Sequence, residues 1–159
     1  MDRPALPDAY ELVTDPARID VDAAHAYLAR SYWSPGIPRE TVARAIAHSM
    51  CFALRHPEDG QVGFARVVTD RATFAYLADV HVLEAHRGRG LSKRLMAAVL
   101  AHPDLQGLRR MLLATRDAHA LYAQFGFTPL ANATRMMERH RPDAYGAAHV
   151  PPTTSSSSP

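Results

Sequence analysis

Cysteine is almost missing from this chain: Cys51 is the only one in 159 residues. One thiol excludes an internal disulfide and any zinc site built on cysteines. Its neighbours in Met50-Cys51-Phe52-Ala53-Leu54 are apolar, so it reads as buried filler and not as a nucleophile. Lysine is as scarce, with Lys93 the sole example; every other basic side chain is arginine. With alanine abundant as well, that imbalance reads as a genome-wide composition bias. The arginines are scattered, no basic stretch is interleaved with aromatics, and the net charge is only +2. Nucleic acid is therefore not an expected partner. No apolar run approaches the ~20 residues of a membrane helix, and Met1-Asp2-Arg3-Pro4 lacks the apolar core of a signal peptide. The expected location is the cytoplasm, without a membrane partner. The nine histidines include no His-x-x-x-His pair or other ligand spacing, and no metal is expected.

What is present suits one domain. The length can bury a single core, and 47% apolar with 21% charged residues is ordinary globular composition. No segment repeats another. Tyr10 to Thr14 reads as a first strand. Asp20 suits the cap of a helix to about Ser31, with Ala24, Tyr27 and Leu28 on one face. Ser34-Pro35-Gly36-Ile37-Pro38 breaks it, and Pro38 fits the first turn of a second helix through Ala43 and Ile46. Two strand-like runs follow, Met50 to Arg55 and Gln61 to Thr69, joined by the turn residues His56-Pro57-Glu58-Asp59-Gly60. Asp70-Arg71-Ala72 turns into a third, Thr73 to Val82, which predicts an antiparallel meander.

After Gly90 the period becomes helical, with Leu91, Leu95, Met96, Ala98 and Val99 on one face and Lys93 and Arg94 off it. Met111 to Ala114 reads as a short buried strand. Asp117 is the expected cap of a helix from Ala118 to Phe125, which Gly126 ends. Short strands near Phe127 to Leu130 and Arg135 to Glu138 complete the expectation. The predicted fold is α/β, one mixed and mostly antiparallel sheet with helices on both faces, over residues 1–145. Residues 146–159 are rich in proline, serine and threonine, bury too little to offset ordering entropy, and read as a disordered tail.

The stretch that carries chemistry runs from Asp79 to Lys93, a strand entering a basic, glycine-rich loop and then a helix. A helix start offers unpartnered N–H groups and partial positive charge. Gly88 and Gly90 remove the side chains that would keep an anion away, so the loop can wrap a pyrophosphate. Arg87, Arg89 and Lys93 add positive charge. Neither a Walker loop nor the three-glycine dinucleotide fingerprint is present. On these features alone, an ordinary basic turn capping a helix fits as well.

Arg87-Gly88-Arg89-Gly90-Leu91-Ser92 resembles the Gln/Arg-x-x-Gly-x-Gly/Ala signature of the GNAT superfamily of N-acetyltransferases. Leu121-Tyr122-Ala123-Gln124-Phe125-Gly126-Phe127 resembles that family's Leu-Tyr-x-x-x-Gly-Phe segment, and the likeness spans residues 10 to 140. It implies a sheet with two splayed parallel central strands. It also implies that the loop through Leu91 and Ser92 holds the pyrophosphate of acetyl-CoA. Ser92 stands where glycine or alanine is usual, and Thr115 where many members carry asparagine near the cofactor.

The same resemblance implies acetyl transfer to an amine. It assigns an oxyanion-binding N–H to the strand Val80-His81-Val82 and makes Tyr122 the general acid for the departing thiolate. From position alone, Tyr122 would simply pack its helix on the sheet. For the base, Asp79 and His81 share one strand face; Asp79 is the first choice, with a sheet hydrogen-bonding role as the alternative for each. Tyr32 and Trp33 lie where family members recognise acceptors, and Trp33 suits the core equally well. His25, His119 and Glu84 read as solvated or capping residues. The acceptor is a small-molecule, peptide or protein amine, and oligomeric state is left open, a homodimer included. A catalytically silent acyl-CoA-binding module would show the same loop but has no need of Tyr122.

Overall fold

A five-stranded sheet forms the middle layer of the computed structural model, which describes residues 9–146. Its order is β1 (Glu11–Val13), β2 (Met50–His56), β3 (Gly60–Thr69), β4 (Phe74–Val82), β5 (Arg110–Leu113). The first three junctions are antiparallel and β4–β5 is parallel, so the sheet is mixed, as expected. Met50 to Leu54 are all buried because helices cover both faces of β2. Met50, Phe52 and Leu54 enter one core, Cys51 and Ala53 the other. Burial pushes the Cys51 thiol up to about 12, the behaviour of inert filler.

Helices α1 (Val21–Leu28) and α2 (Arg39–Ala47) close one face through Ala24, Leu28, Val42 and Ile46. Helix α3 (Leu91–Ala101) closes the other with Leu91, Leu95, Met96, Ala98 and Val99, the stripe its period predicts. Asp20 starts α1 by accepting from Ala23 N at 3.0 Å. The Gln61 amide brackets the same residue, accepting from Asp20 N and donating to Asp20 O, which ties the helix start to β3. Pro38 sits one residue before α2, as its cap.

Three expectations are corrected. Phe127 to Leu130 is not a strand, and Arg135 to Glu138 begins at the end of a 3-10 turn over Ala133–Arg135 and does not enter the sheet. Pro129 has no N–H for a ladder, and no face of Arg135–Glu138 is buried, Met137 being 97% exposed. β5 is consequently an edge strand. Asp117 does not cap the last helix, α4 (His119–Ala123); Thr115 Oγ1 accepts from Ala118 N at 3.0 Å instead. Gly126 takes the positive φ expected beyond a helix end. The tail expected from 146 onward lies, Gly146 apart, outside the described residues. No helix among the described residues is long and apolar enough to cross a membrane.

Two irregularities open the site. The parallel pairing runs from Phe74/Arg110 to Leu77/Leu113 and stops, while β4 continues to Val82, so the two strands part in a wedge. Opposite β3 the register slips between Phe64/His81 and Arg66/Ala78, leaving Asp79 and Val80 in a bulge. Asp79 has φ +60° there, a conformation Asp adopts more readily than most side chains.

Candidate active site

The wedge is the floor of a cleft of about 1170 Å3 between the end of β4, the α1–α2 connection, the start of α3 and α4. At one end, β4 passes through a 3-10 turn, Glu84–His86, into the glycine loop. Gly88 and Gly90 have φ of +77° and +74°, and an added Cβ at either would meet no atom within 4 Å. Glycine is therefore required by the backbone, and the space above it is open. Gly90 is also the cap position of α3, and it supplies no side-chain acceptor. Arg94 N is the first α3 amide to be satisfied, by Gly90 O. The orphan donors of Leu91, Ser92 and Lys93 that a Ser or Asp cap would partly cover are left for a ligand.

Both loop arginines turn back onto the fold. Arg87 donates to Val82 O at 3.0 Å and to the Tyr27 hydroxyl at 2.9 Å. Arg89, which does not line the cleft, donates to the Tyr10 hydroxyl at 2.7 Å. These acceptors are uncharged, so Arg89 braces the loop without giving up its positive field, while the Arg87 charge is partly offset by the Glu84 carboxylate 3.9 Å away. Tyr10 is next hydrogen-bonded to His86 Nδ1 at 2.6 Å, and His86 Nε2–H donates to Asp59 at 2.8 Å. With the His56 ring tilted against both Tyr10 and His86, this chain fastens the loop to the start of β1 and to the β2–β3 turn. Sequence reading missed it, for its members lie far apart; the only hint was a histidine directly before Arg87-Gly88.

At the other end, Arg66 donates to Asp79 Oδ2 at 2.7 Å and Trp33 Nε1 donates to Oδ1 at 3.0 Å. Trp33 is thus a partly exposed cleft residue and not part of the core. His81 is buried, lies flat against Tyr27 with ring centroids 4.0 Å apart, and donates Nδ1–H to the Asp79 carbonyl. Burial pushes its pKa down to about 4, opposed by that hydrogen bond and by the Asp79 charge. The ring is neutral at pH 7, with the Nε2 lone pair as its remaining polar site.

Tyr122 is buried with Phe127 edge-on to its ring, and it lines the cleft. Burial, with Tyr32 secondary, holds its phenol above the usual value, so it keeps its proton. Tyr32 accepts from Arg116 N at 3.1 Å and carries the Arg116 guanidinium over its ring. Asp79, Val80, His81, Val82, Leu91, Ser92, Thr115, Tyr32 and Trp33 line the same cleft. The Thr115 hydroxyl is already committed to the α4 start.

The geometry is a donor-rich helix mouth and a buried phenol on one cleft, above two parted parallel strands. The model of the acetyltransferase (GNAT) family matches residues 8–127. This chain belongs to the GNAT family. A GNAT-family protein of Xanthomonas campestris, of known crystal structure, is 51% identical. It superposes with a TM-score of 0.84 over 89% of this chain and 99% of its own. A Gibberella zeae protein named as an acetyltransferase is 31% identical over 72% of this chain and 76% of its own. A Deinococcus radiodurans structure with the same designation has 22% identity and a TM-score of 0.67 over 91% of this chain and 96% of its own. At that distance the likeness speaks for the fold alone. GNAT members are acyl-CoA-dependent transferases, and the open glycine loop of this chain fits such a donor.

Proposed function

We propose that this GNAT member transfers the acetyl group of acetyl-CoA to a primary amine by direct attack in a ternary complex. The observation that carries the reading is the pairing of the uncapped α3 mouth with Tyr122 on one cleft. The amides of Leu91, Ser92 and Lys93, with the Ser92 hydroxyl, hold the donor's pyrophosphate, while Arg87 and Arg89 supply field and bracing. Thr115 acts on the cofactor side by fixing the start of α4. The Val80-His81-Val82 backbone, freed from β5 by the wedge, offers a fixed N–H to the developing oxyanion.

The amine nitrogen bonds to the thioester carbon and the carbon–sulfur bond breaks. Tyr122 gives its proton to the departing sulfur and regains one from solvent. The proton lost by the nitrogen goes to His81 Nε2 and on to water in the cleft, so amide and thiol are the only products. His81 is preferred to Asp79 as acceptor because both Asp79 oxygens are held by Arg66 and Trp33. Asp79 acts by positioning, its carbonyl fixing the His81 tautomer. Tyr32 and Trp33 form the acceptor wall.

The test is release of free thiol from acetyl-CoA, followed with and without an amine panel. Amine-dependent release that drops about 100-fold in Tyr122→Phe, at unchanged acetyl-CoA affinity, supports the assignment. Binding of acetyl-CoA without turnover on any amine identifies a silent acyl-CoA-binding module instead.

A further inference from the structure

Exposed aromatic rings scattered singly need no explanation, whereas a cluster of them in one place marks a binding surface. Among the described residues five aromatic side chains are exposed, and four of them, Tyr32 (46%), Trp33 (39%), Tyr76 (38%) and Tyr145 (36%), line the one cleft. They come from the α1–α2 connection, β4 and the chain beyond α4. Elements so far apart in sequence converge on the same space. Tyr32 and Trp33 meet edge to face with centroids 5.1 Å apart, and Tyr27 lies 6.1 Å behind Trp33.

The charges beside these rings are already matched. Arg66 meets Asp79 at 2.7 Å, Arg30 meets Glu84 at 2.6 Å, and Arg116 lies over Tyr32 with Asp117 at 3.7 Å. A carboxylate or phosphate on the acceptor would have to compete with an existing partner for each of these cations. A second ammonium group would face the same competition for each carboxylate. Lys93 stands apart at the loop end of the cleft, beside Arg87, which lies 3.9 Å from Glu84.

Resting on the acetyl-transfer reading above, we propose that the acceptor is a primary amine carried by an aromatic ring and bearing no carboxylate or phosphate. The ring seats against Tyr32, Trp33, Tyr76 and Tyr145, and its short arm carries the nitrogen toward His81 and the wedge. Ring-on-ring contacts of about 0.5–1.5 kcal/mol each supply selectivity of roughly 2- to 13-fold per contact.

The experiment compares kcat/KM for 2-phenylethylamine, hexylamine, spermidine and phenylalanine in the thiol-release assay with the full chain. The expected order puts 2-phenylethylamine at least about tenfold above each of the others. Tyr32→Leu and Tyr145→Ala, both at exposed positions, should each raise the KM for 2-phenylethylamine several-fold and leave that for acetyl-CoA unchanged. Hexylamine, spermidine or phenylalanine matching 2-phenylethylamine overturns the aromatic assignment while acetyl transfer stands. Release with none of the amines, though calorimetry shows acetyl-CoA bound, overturns both.

Discussion

The Tyr10 hydroxyl, 2.6 Å from His86 Nδ1 and 2.7 Å from Arg89, joins the first strand to a loop 76 residues downstream. Arg89 donates to Tyr10, Tyr10 donates to His86 Nδ1, and Asp59 accepts a hydrogen bond from His86 Nε2–H. In Tyr10→Phe the buried His86 nitrogen loses its donor and Arg89 its acceptor. A destabilisation of about 1–3 kcal/mol follows from leaving such a group unsatisfied. The released loop should raise KM for acetyl-CoA several-fold with kcat little changed, because nothing in the wedge moves. A fall in kcat at constant KM would place Tyr10 in another role.

Asp79 and His81 are separable by charge and shape. Asp79→Asn keeps a residue type that tolerates φ +60° and keeps the backbone carbonyl that fixes His81. Its kcat should stay within a few-fold of the parent. His81→Phe keeps the stack on Tyr27 and loses the nitrogen, and kcat should fall about 100-fold. The reverse ranking in steady-state kinetics would restore the carboxylate as base.

His81 also makes stability depend on pH. Its folded pKa, about 4, lies below the ordinary 6.5, so in the interval between them the unfolded chain binds the extra proton. Stability from this group is complete above pH 6.5 and is lost as pH falls toward 4. Between pH 7 and 5 the loss is of order 2 kcal/mol. Urea unfolding at both values should show that drop in the parent and a drop smaller by that amount in His81→Phe. Parallel losses in the two proteins would assign the acid sensitivity to other groups.

Much of this was legible in the sequence, for identifiable reasons. The α3 stripe from Leu91 to Val99 repeats with helical period and is buried as a unit. The meander is punctuated by turn residues, with Gly60 at φ +70°. Strand signals failed after Phe127, where a strand-like composition near Met136 and Met137 met no sheet to cover it. The glycine loop and the Tyr122 segment, each singled out by its local chemistry, converge on one cleft. The Asp79–Arg66 pair and the Tyr10–His86–Asp59 chain were not legible. They depend on the strand register and on a one-residue bulge that no local pattern announces.

Gly90 offers the most direct test of the loop, with Gly60 as its control. Both hold positive φ, +74° and +70°, and an added Cβ would touch nothing within 4 Å at either. Replacing either with alanine should therefore cost a similar backbone penalty, about 1–2 kcal/mol. Only at Gly90 does the new methyl stand beside the uncapped amides of α3. Gly90→Ala should weaken acetyl-CoA binding by about tenfold or more in calorimetry, and Gly60→Ala should leave it unchanged. Equal loss in both would trace the effect to strain spread through the fold. Loss in neither would mean that the helix mouth is not where the donor's phosphates rest.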